Sequence, residues 1–256
     1  ILACFIRLLD SRMVLYKKAF FWYAYYMNVS VIIPAYNEKY TIREVIERTK
    51  KADVLGLQKE IIVVDDGSTD GTRDILAAYN ASDIKIMLRK RNQGVGAAWR
   101  DGIAASAGDI IIRQDADTEY QPEDFPLLLQ PILEGKADIV YGSRILGFEK
   151  SKYRYKMYLW GGLLVNWLMN RIVGTHLTDM LTASNAFHRR ILEKISLESL
   201  HFEIEAELTA KARRAGLRIV EVPITYRARS FEEGKKIRWH HAFRLLKAAI
   251  WYRLTK

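Results

Sequence analysis

The stretch Asp109-Ile110-Ile111-Ile112-Arg113-Gln114-Asp115-Ala116-Asp117 runs from an apolar segment directly into two carboxylates one residue apart. A buried strand that ends in Asp-x-Asp delivers both acids to one edge of a sheet. Two hard oxygen donors there can hold a divalent cation, and the cation can hold a diphosphate. A second acidic strand end, Ile61-Ile62-Val63-Val64-Asp65-Asp66-Gly67-Ser68, lies upstream. Four carboxylates converging on one edge repel one another unless cations answer them. Arginine is in good supply: Arg144 follows a strand end, Arg154 sits in the next loop, and Arg227, Arg229, Lys235 and Lys236 lie in a basic tail.

Outward from that stretch the pattern is regular. Short apolar runs at 29–34, 60–65, 84–88, 109–114 and 138–142 read as strands. Amphipathic or turn-initiated segments at 40–51, 70–79, 94–105 and 123–133 read as helices, the first with Ile42, Val45 and Ile46 on one face. Strands alternating with helices of about ten residues predict a mostly parallel, doubly wound α/β sheet with helices on both faces. Ligands then bind beyond the carboxyl ends of the strands, where Pro34, Asp65, Asp66, Asp115, Asp117 and Arg144 all fall. No repeat or low-complexity linker interrupts the pattern, which favours one catalytic domain over 27–238, followed by a basic amphipathic helix over 239–256. Residues 1–26 are rich in Phe, Tyr, Leu and Trp but broken by Arg7, Asp10, Arg12, Lys17 and Lys18. No stretch there is long enough to span a bilayer. Two readings stand: sequence upstream of a natural start at Met27, or an interfacial helix.

The chain has 256 residues, half of them hydrophobic, and a net charge of +10. That composition supplies a substantial core and excludes a disordered chain. A single cysteine, Cys4, excludes a disulfide framework and a cysteine-based zinc site. The charge is concentrated: residues 210–256 carry thirteen Lys and Arg against three Glu. An anionic partner at the C-terminal side is implied, whether nucleic acid, anionic lipid or a phosphorylated substrate.

Several motifs are set aside. Asp66-x-Ser68-x-Asp70-Gly71 opens like a calcium loop, but its twelfth position is Ala77 rather than Glu. Gly94-Val95-Gly96-Ala97-Ala98-Trp99 carries two glycines of a dinucleotide fingerprint with Trp99 where Gly or Ala is needed, so it reads as a turn and helix start with Asn92 as cap. No phosphate-binding Gly-x-x-x-x-Gly-Lys loop is present.

Val31-Ile32-Ile33-Pro34-Ala35-Tyr36-Asn37-Glu38, then Val63-Val64-Asp65-Asp66-Gly67-Ser68, Asp115-Ala116-Asp117 and Gly142-Ser143-Arg144 together resemble the family 2 glycosyltransferases of GT-A (Rossmann-like) fold. Within them the sequence is most similar to dolichyl-phosphate mannose synthases and bacterial polyprenyl-phosphate sugar transferases, over about residues 29–240. The resemblance implies a nucleotide pocket lined by Pro34, Ala35, Tyr36, Glu38, Val64, Asp66, Asp115 and Ala116. It implies Mg²⁺ or Mn²⁺ on the donor diphosphate, held by Asp115, Asp117 and Glu119; synthases of this type usually carry Gln at the last position. It gives Arg144, Arg154 and Arg229 as the groups facing the lipid phosphate or the diphosphate, with Asp179 and Lys235 on the acceptor side. Asp179-Met180-Leu181-Thr182-Ala183-Ser184-Asn185 and Glu232-Glu233-Gly234-Lys235-Lys236 both depart from the mannose-synthase pattern, the second towards bacterial relatives.

The expected activity is inverting transfer of a sugar from a nucleoside-diphosphate sugar, GDP-mannose or a UDP-sugar, to a dolichyl or undecaprenyl phosphate. The protein would work peripherally at the cytoplasmic face of an anionic membrane, with no nucleic-acid partner. The alternative is transfer to a sugar hydroxyl in glycan or polysaccharide assembly. That reaction needs a base, and Glu203, Glu205 and Asp179 are the candidates; the competing reading puts Glu203, Glu205 and Glu207 on an exposed helix face. Residues 158–169 are apolar but too short to span a bilayer and read as core or as a groove for a prenyl chain. The segment 239–254 reads either as a helix lying in a membrane surface or as one docked on the domain.

Overall fold

Strand β1 (Asn28–Ala35) is buried along all but its first residue, as a central strand covered on both faces must be. It pairs in parallel with β2 (Gln58–Asp65) on one side and β4 (Ile110–Arg113) on the other, and β2 pairs with β3 (Ile84–Leu88). The computed structural model describes residues 27–79, 84–150, 156–230 and 241–255. Arg154, Lys235 and the expected extension over 1–26 therefore lie outside the described residues. The remaining elements are α1 (Ile42–Lys51), α2 (Thr72–Ala77), α3 (Val95–Ala105), α4 (Phe125–Leu133), β5 (Ile139–Ser143), α5 (Lys156–Val173), β6 (Asn185–His188), α6 (Glu203–Arg214), β7 (Ile219–Pro223) and α7 (His241–Leu254).

The strands form one sheet in the order β3-β2-β1-β4-β6-β5-β7. All neighbours are parallel except β6, which runs antiparallel to β4 and β5. Alternate residues feed two cores, because successive side chains on a strand point to opposite faces. Val31, Ile33, Val63 and Ile112 meet Ile42, Val45 and Ile46 of α1 and Phe125, Leu128 and Leu129 of α4. Ile32, Ile111, Ile139 and Phe187 meet Trp99 and Ile103 of α3 and Ile204 and Leu208 of α6. Each such side chain stabilises the fold by about 1.5–3 kcal/mol of apolar burial. Helix α3 can lie that close to β1 because Gly102 has no side chain; a Cβ there would come within 2.3 Å of Ile32 Cγ2.

A third cluster joins α5, α6 and α7 through Met169, Val173, Ala206, Ala210, Ala248 and Ala249. Helix α7 is thus docked on the domain, while Phe243, Ile250, Trp251 and Leu254 remain exposed. Helix α5 is equally two-sided, exposing Met157, Trp160, Leu164 and Trp167. No described helix is long and apolar enough to cross a membrane.

Three expectations are corrected. Glu205 and Glu207 are buried rather than on an exposed helix face, since α6 is covered by α7 and by the segment before it. Asn92 does not cap α3, whose first turn has Gly94 at the cap position and no side-chain cap. The helix expected over 70–79 is confined to Thr72–Ala77.

Candidate active site

The carboxyl ends of β1, β2, β4 and β5, together with the segment after β7, surround a cleft of about 480 Å³. Pro34, Ala35, Tyr36 and Glu38 come from the end of β1, Asp66 from β2, Asp115, Ala116, Asp117 and Glu119 from β4, Arg144 from β5, and Arg229 from beyond β7. Leu159, Gly162 and Leu163 of α5 and Leu245 of α7 close the far wall. Two tight turns aim the acids. Asn37 takes a left-handed φ of 53°, a conformation asparagine tolerates, and Thr118 takes one of 59°. Asp117 Oδ1 accepts from the Glu119 N–H at 3.1 Å, an Asx turn. Thr41 Oγ1 donates to the Ala116 carbonyl at 2.8 Å, so α1 anchors the Asp-Ala-Asp turn.

One guanidinium gathers the acids of the first half of the sheet. Arg229 Nη2 donates to Asp117 Oδ2 at 2.7 Å, and its Nη1 to Glu38 Oε2 at 2.9 Å. Its backbone N–H donates to Glu119 Oε1 at 2.7 Å. Burial, and after it the like charge of Glu119, push the Asp117 carboxyl well above the usual carboxylate range despite Arg229. Asp115 is held from the other side: Arg113 Nε donates to its Oδ1 at 3.0 Å, and Arg113 Nη1 to Glu205 Oε1 at 2.5 Å. These two carboxylates raise the Arg113 pKa although burial works against it.

The anticipated convergence of four strand-end acids resolves differently for the β2 pair. Asp65 is fully buried and accepts from the N–H groups of Gly67 and Ser68, closing its own turn. Asp66 lines the cleft but accepts from Arg89 at 2.8 Å and from the N–H groups of Gln93 and Gly94 at 3.0 and 2.7 Å. Its pKa is still raised, because burial outweighs those bonds. Val64 packs in the core with Ile62 and Ala98 and does not line the cleft.

Across the cleft Arg144 forms a bidentate pair with Asp179, Nε to Oδ2 at 2.6 Å and Nη2 to Oδ1 at 2.7 Å, and lies over the Tyr226 ring. Glu221 fixes Asp179 in turn by accepting its N–H at 2.8 Å. The structure therefore brings together every described residue expected at the site except Val64. It adds Arg113 and Tyr226, which the sequence reading did not single out; a lone arginine inside the strand run Ile110-Ile111-Ile112-Arg113 was the available signal.

The donor set suits Mg²⁺ or Mn²⁺. Asp115, Asp117 and Glu119 offer hard oxygens; with Glu38 they make four carboxylates, of which Asp115 pairs with Arg113, and Asp117 and Glu38 with Arg229. Among the described residues no three acidic, His or Cys side chains are already gathered as a metal cage. A cation of this kind is usually held by one or two carboxylates plus substrate phosphates, so no such cage is required.

Residues 30–196 match the family model for glycosyl transferase family 2. The chain is 32% identical over 223 residues to an undecaprenyl-phosphate mannosyltransferase of Micrococcus luteus, covering 82% of this chain and 87% of that protein. It is 30% identical over 243 residues to a dolichol-phosphate mannosyltransferase of Pyrococcus furiosus, covering 86% of this chain but 64% of that longer protein. Among solved structures it resembles glucosyl-3-phosphoglycerate synthase of Mycobacterium tuberculosis in complex with Mn²⁺, UDP and phosphoglyceric acid. The TM-score is 0.68 at 25% identity, covering 90% of this chain and 80% of that one. The GT-A-like sheet, its acidic carboxyl edge and these matches agree: the chain belongs to glycosyl transferase family 2.

Proposed function

We propose that this protein transfers a hexose from a nucleoside-diphosphate sugar to a polyprenyl phosphate, dolichyl or undecaprenyl, with inversion at the anomeric carbon. The observation that carries the acceptor half is the state of the three candidate bases. Asp179 is paired with Arg144, Glu205 with Arg113 and Glu203 with Arg244. An acceptor hydroxyl needs a carboxylate to take its proton, whereas a phosphate oxygen arrives already ionised. The names of the curated relatives support the same acceptor class.

In this reading the nucleoside lies along Pro34, Ala35, Tyr36, Glu38 and Asp66 and reaches Ala116. Asp115, Asp117 and Glu119 would hold Mg²⁺ or Mn²⁺, which when bound supplies charge stabilisation to the departing nucleoside diphosphate. Arg144 and Arg229 take the acceptor phosphate, Asp179 holding the Arg144 guanidinium in place; Arg154 and Lys235, which lie outside the described residues, are assigned the same role on the sequence resemblance. The acceptor oxygen forms its bond to the anomeric carbon from the face opposite the diphosphate. The bond to the diphosphate oxygen breaks, and the electron pair leaves with the nucleoside diphosphate. No proton is moved on the acceptor. The first prenyl units run along the apolar wall of Leu159, Leu163 and Leu245. Exposed Trp160, Trp167, Phe243 and Trp251, set among Arg171, Lys247 and Arg253, suit peripheral binding to an anionic membrane, at its cytoplasmic face.

The test is transfer of radiolabelled sugar from GDP-mannose or UDP-glucose into organic-extractable lipid, with undecaprenyl or dolichyl phosphate and Mg²⁺ or Mn²⁺. Label in the lipid phase, abolished by a chelator, is the expected result. Label appearing only in a water-soluble acceptor would overturn the acceptor assignment.

A further inference from the structure

Three of the four carboxylate oxygens of Asp115 and Asp117 are already engaged. Arg113 Nε takes Asp115 Oδ1 at 3.0 Å, the Glu119 N–H takes Asp117 Oδ1 at 3.1 Å, and Arg229 takes Asp117 Oδ2 at 2.7 Å. Asp115 Oδ2 alone accepts no hydrogen bond from a described residue, and its side chain is 22% exposed in the cleft. The asymmetry originates in Arg113, whose side chain is 1% exposed at the end of a strand that is otherwise isoleucine.

A buried guanidinium is costly to desolvate unless it is paired and its donors are used. Here two helices grip it. Glu205, in the first turn of α6, takes Nη1 at 2.5 Å. Trp99, on α3, presents its ring 5.4 Å away and is itself held edge-on by Phe187. The guanidinium cannot turn without breaking one of these contacts, and Asp115 cannot turn without leaving Nε.

We propose that Arg113, clamped by Glu205, is a positioning residue for Asp115: it ties Oδ1 and leaves Oδ2 as the one Asp115 oxygen offered to the donor's divalent cation, beside Asp117 and Glu119. This rests on the cation-binding reading of the site given above. An untethered Asp115 would present both oxygens and grip the cation strongly by itself. With one Asp115 oxygen in place of two the grip is weaker, so the cation enters and leaves with the nucleotide. Glu205, by taking Nη1, fixes the plane in which Nε meets Asp115 Oδ1.

The test uses the full chain carrying Arg113→Met, Arg113→Lys or Glu205→Gln. Mn²⁺ is titrated alone and with UDP or GDP, followed by the loss of the free-ion electron paramagnetic resonance signal, and melting temperature is recorded for each variant. Arg113→Met should bind Mn²⁺ without nucleotide at least about tenfold more tightly than the parent, the scale on which an adjacent guanidinium shifts a carboxylate equilibrium. Glu205→Gln should bind it more weakly. Arg113→Lys keeps the charge but lacks the planar fork that spans two carboxylates, so it should depart from the parent in the direction of Arg113→Met. A merely structural pair would lose Mn²⁺ in both single variants, and that result overturns the proposal. Parent-like affinity in Arg113→Lys also overturns it, because charge alone would then suffice. If Arg113→Met does not fold, Arg113→Met combined with Glu205→Gln removes both buried charges and should still bind more tightly than the parent. A parent that binds no Mn²⁺ with UDP or GDP overturns the cation reading itself. Normal binding by a parent whose variants all match it overturns only the role of Arg113.

Discussion

Glu207→Gln should destabilise this protein by about 3–5 kcal/mol while changing one oxygen to a nitrogen. Glu207 is fully buried on α6 and uses both carboxylate oxygens. Oε1 accepts from the Glu198 N–H at 2.8 Å and from Lys211 Nζ at 2.7 Å, and Oε2 accepts from the Ser199 N–H at 2.8 Å. A glutamine has one acceptor oxygen, so either orientation sets an amide N–H against a backbone N–H. One charge-assisted bond is lost, worth about 1.5–3 kcal/mol, and the abandoned donor costs about 1–3 kcal/mol more. Lys211 is partly compensated by the Ser196 carbonyl and Glu198. At roughly 2–4 °C per kcal/mol for a chain of this size, the melting temperature should fall by about 6–20 °C. Guanidinium unfolding followed by circular dichroism measures it, with Glu203→Gln as the comparison. Glu203 pairs with the half-exposed Arg244, and its loss should cost no more than about 1 kcal/mol. The loop that Glu207 anchors sits on the first turn of α3, where the Ala97 N–H donates to the Leu200 carbonyl at 3.0 Å. It also carries His201 and Phe202 into the cleft, so UDP or GDP binding should weaken in the same variant. A Glu207→Gln protein as stable as Glu203→Gln would refute this account of the loop.

Asp117→Asn should remain folded and lose sugar transfer to background in the radiolabel assay; parent-level turnover would remove Asp117 from the reaction. His188 is buried and its pKa is lowered by that burial, while Nδ1 accepts from the Arg190 N–H at 3.3 Å. The unfolded chain therefore binds the proton more readily, and the stability this neutral imidazole contributes is present above about pH 6.5 and lost as pH falls through and below it. Unfolding free energies at pH 7 and pH 5 should differ less in His188→Gln than in the parent, and an unchanged difference would exclude His188 as its source. Gly67→Ala should cost more than about 2 kcal/mol, since Gly67 has φ of 73° and a Cβ would lie 2.6 Å from the Arg91 carbonyl carbon. An alanine variant of parental melting temperature would contradict that packing.

The first half of the sheet was legible because its strands are continuous apolar runs closed by acids or turn residues, and α1 shows its stripe of Ile42, Val45 and Ile46. Asp115, Asp117 and Arg144 were legible because a strand end fixes where a side chain goes, whatever the rest of the chain does. Strand β6 was not: four residues, Asn185–His188, give too short a period to read, and its direction is set by the partners on either side. The burial of Glu205 and Glu207 was equally hidden, because α6 carries its acids at helical spacing that an exposed face would share. Their partners, Arg113 and the N–H groups of Glu198 and Ser199, come from segments that only tertiary structure brings near. Arg113 shows the limit most clearly, since in sequence it interrupts a hydrophobic strand and in space it links two acids from opposite parts of the chain.

The antiparallel β6 also sets an order on the folding of the chain. Strands β1 to β4 pair only with one another and, at the outer side of β4, with β6, where Ile110 lies opposite His188. A nascent chain emerging from the ribosome can thus complete the four-stranded parallel block, with Asp115 and Asp117 at its rim, before the strand that joins it to β5 and β7 has been made. Those later pairings close long loops and are the slow, non-local contacts of the topology. Arg229 reaches Asp117 and Glu38 only after they form, so those two acids exist for a time without the guanidinium that answers them, while Arg113 of β4 already accompanies Asp115. During synthesis that part of the rim is open to a passing cation, and the segment that docks after β7 brings the guanidinium that ends its exposure.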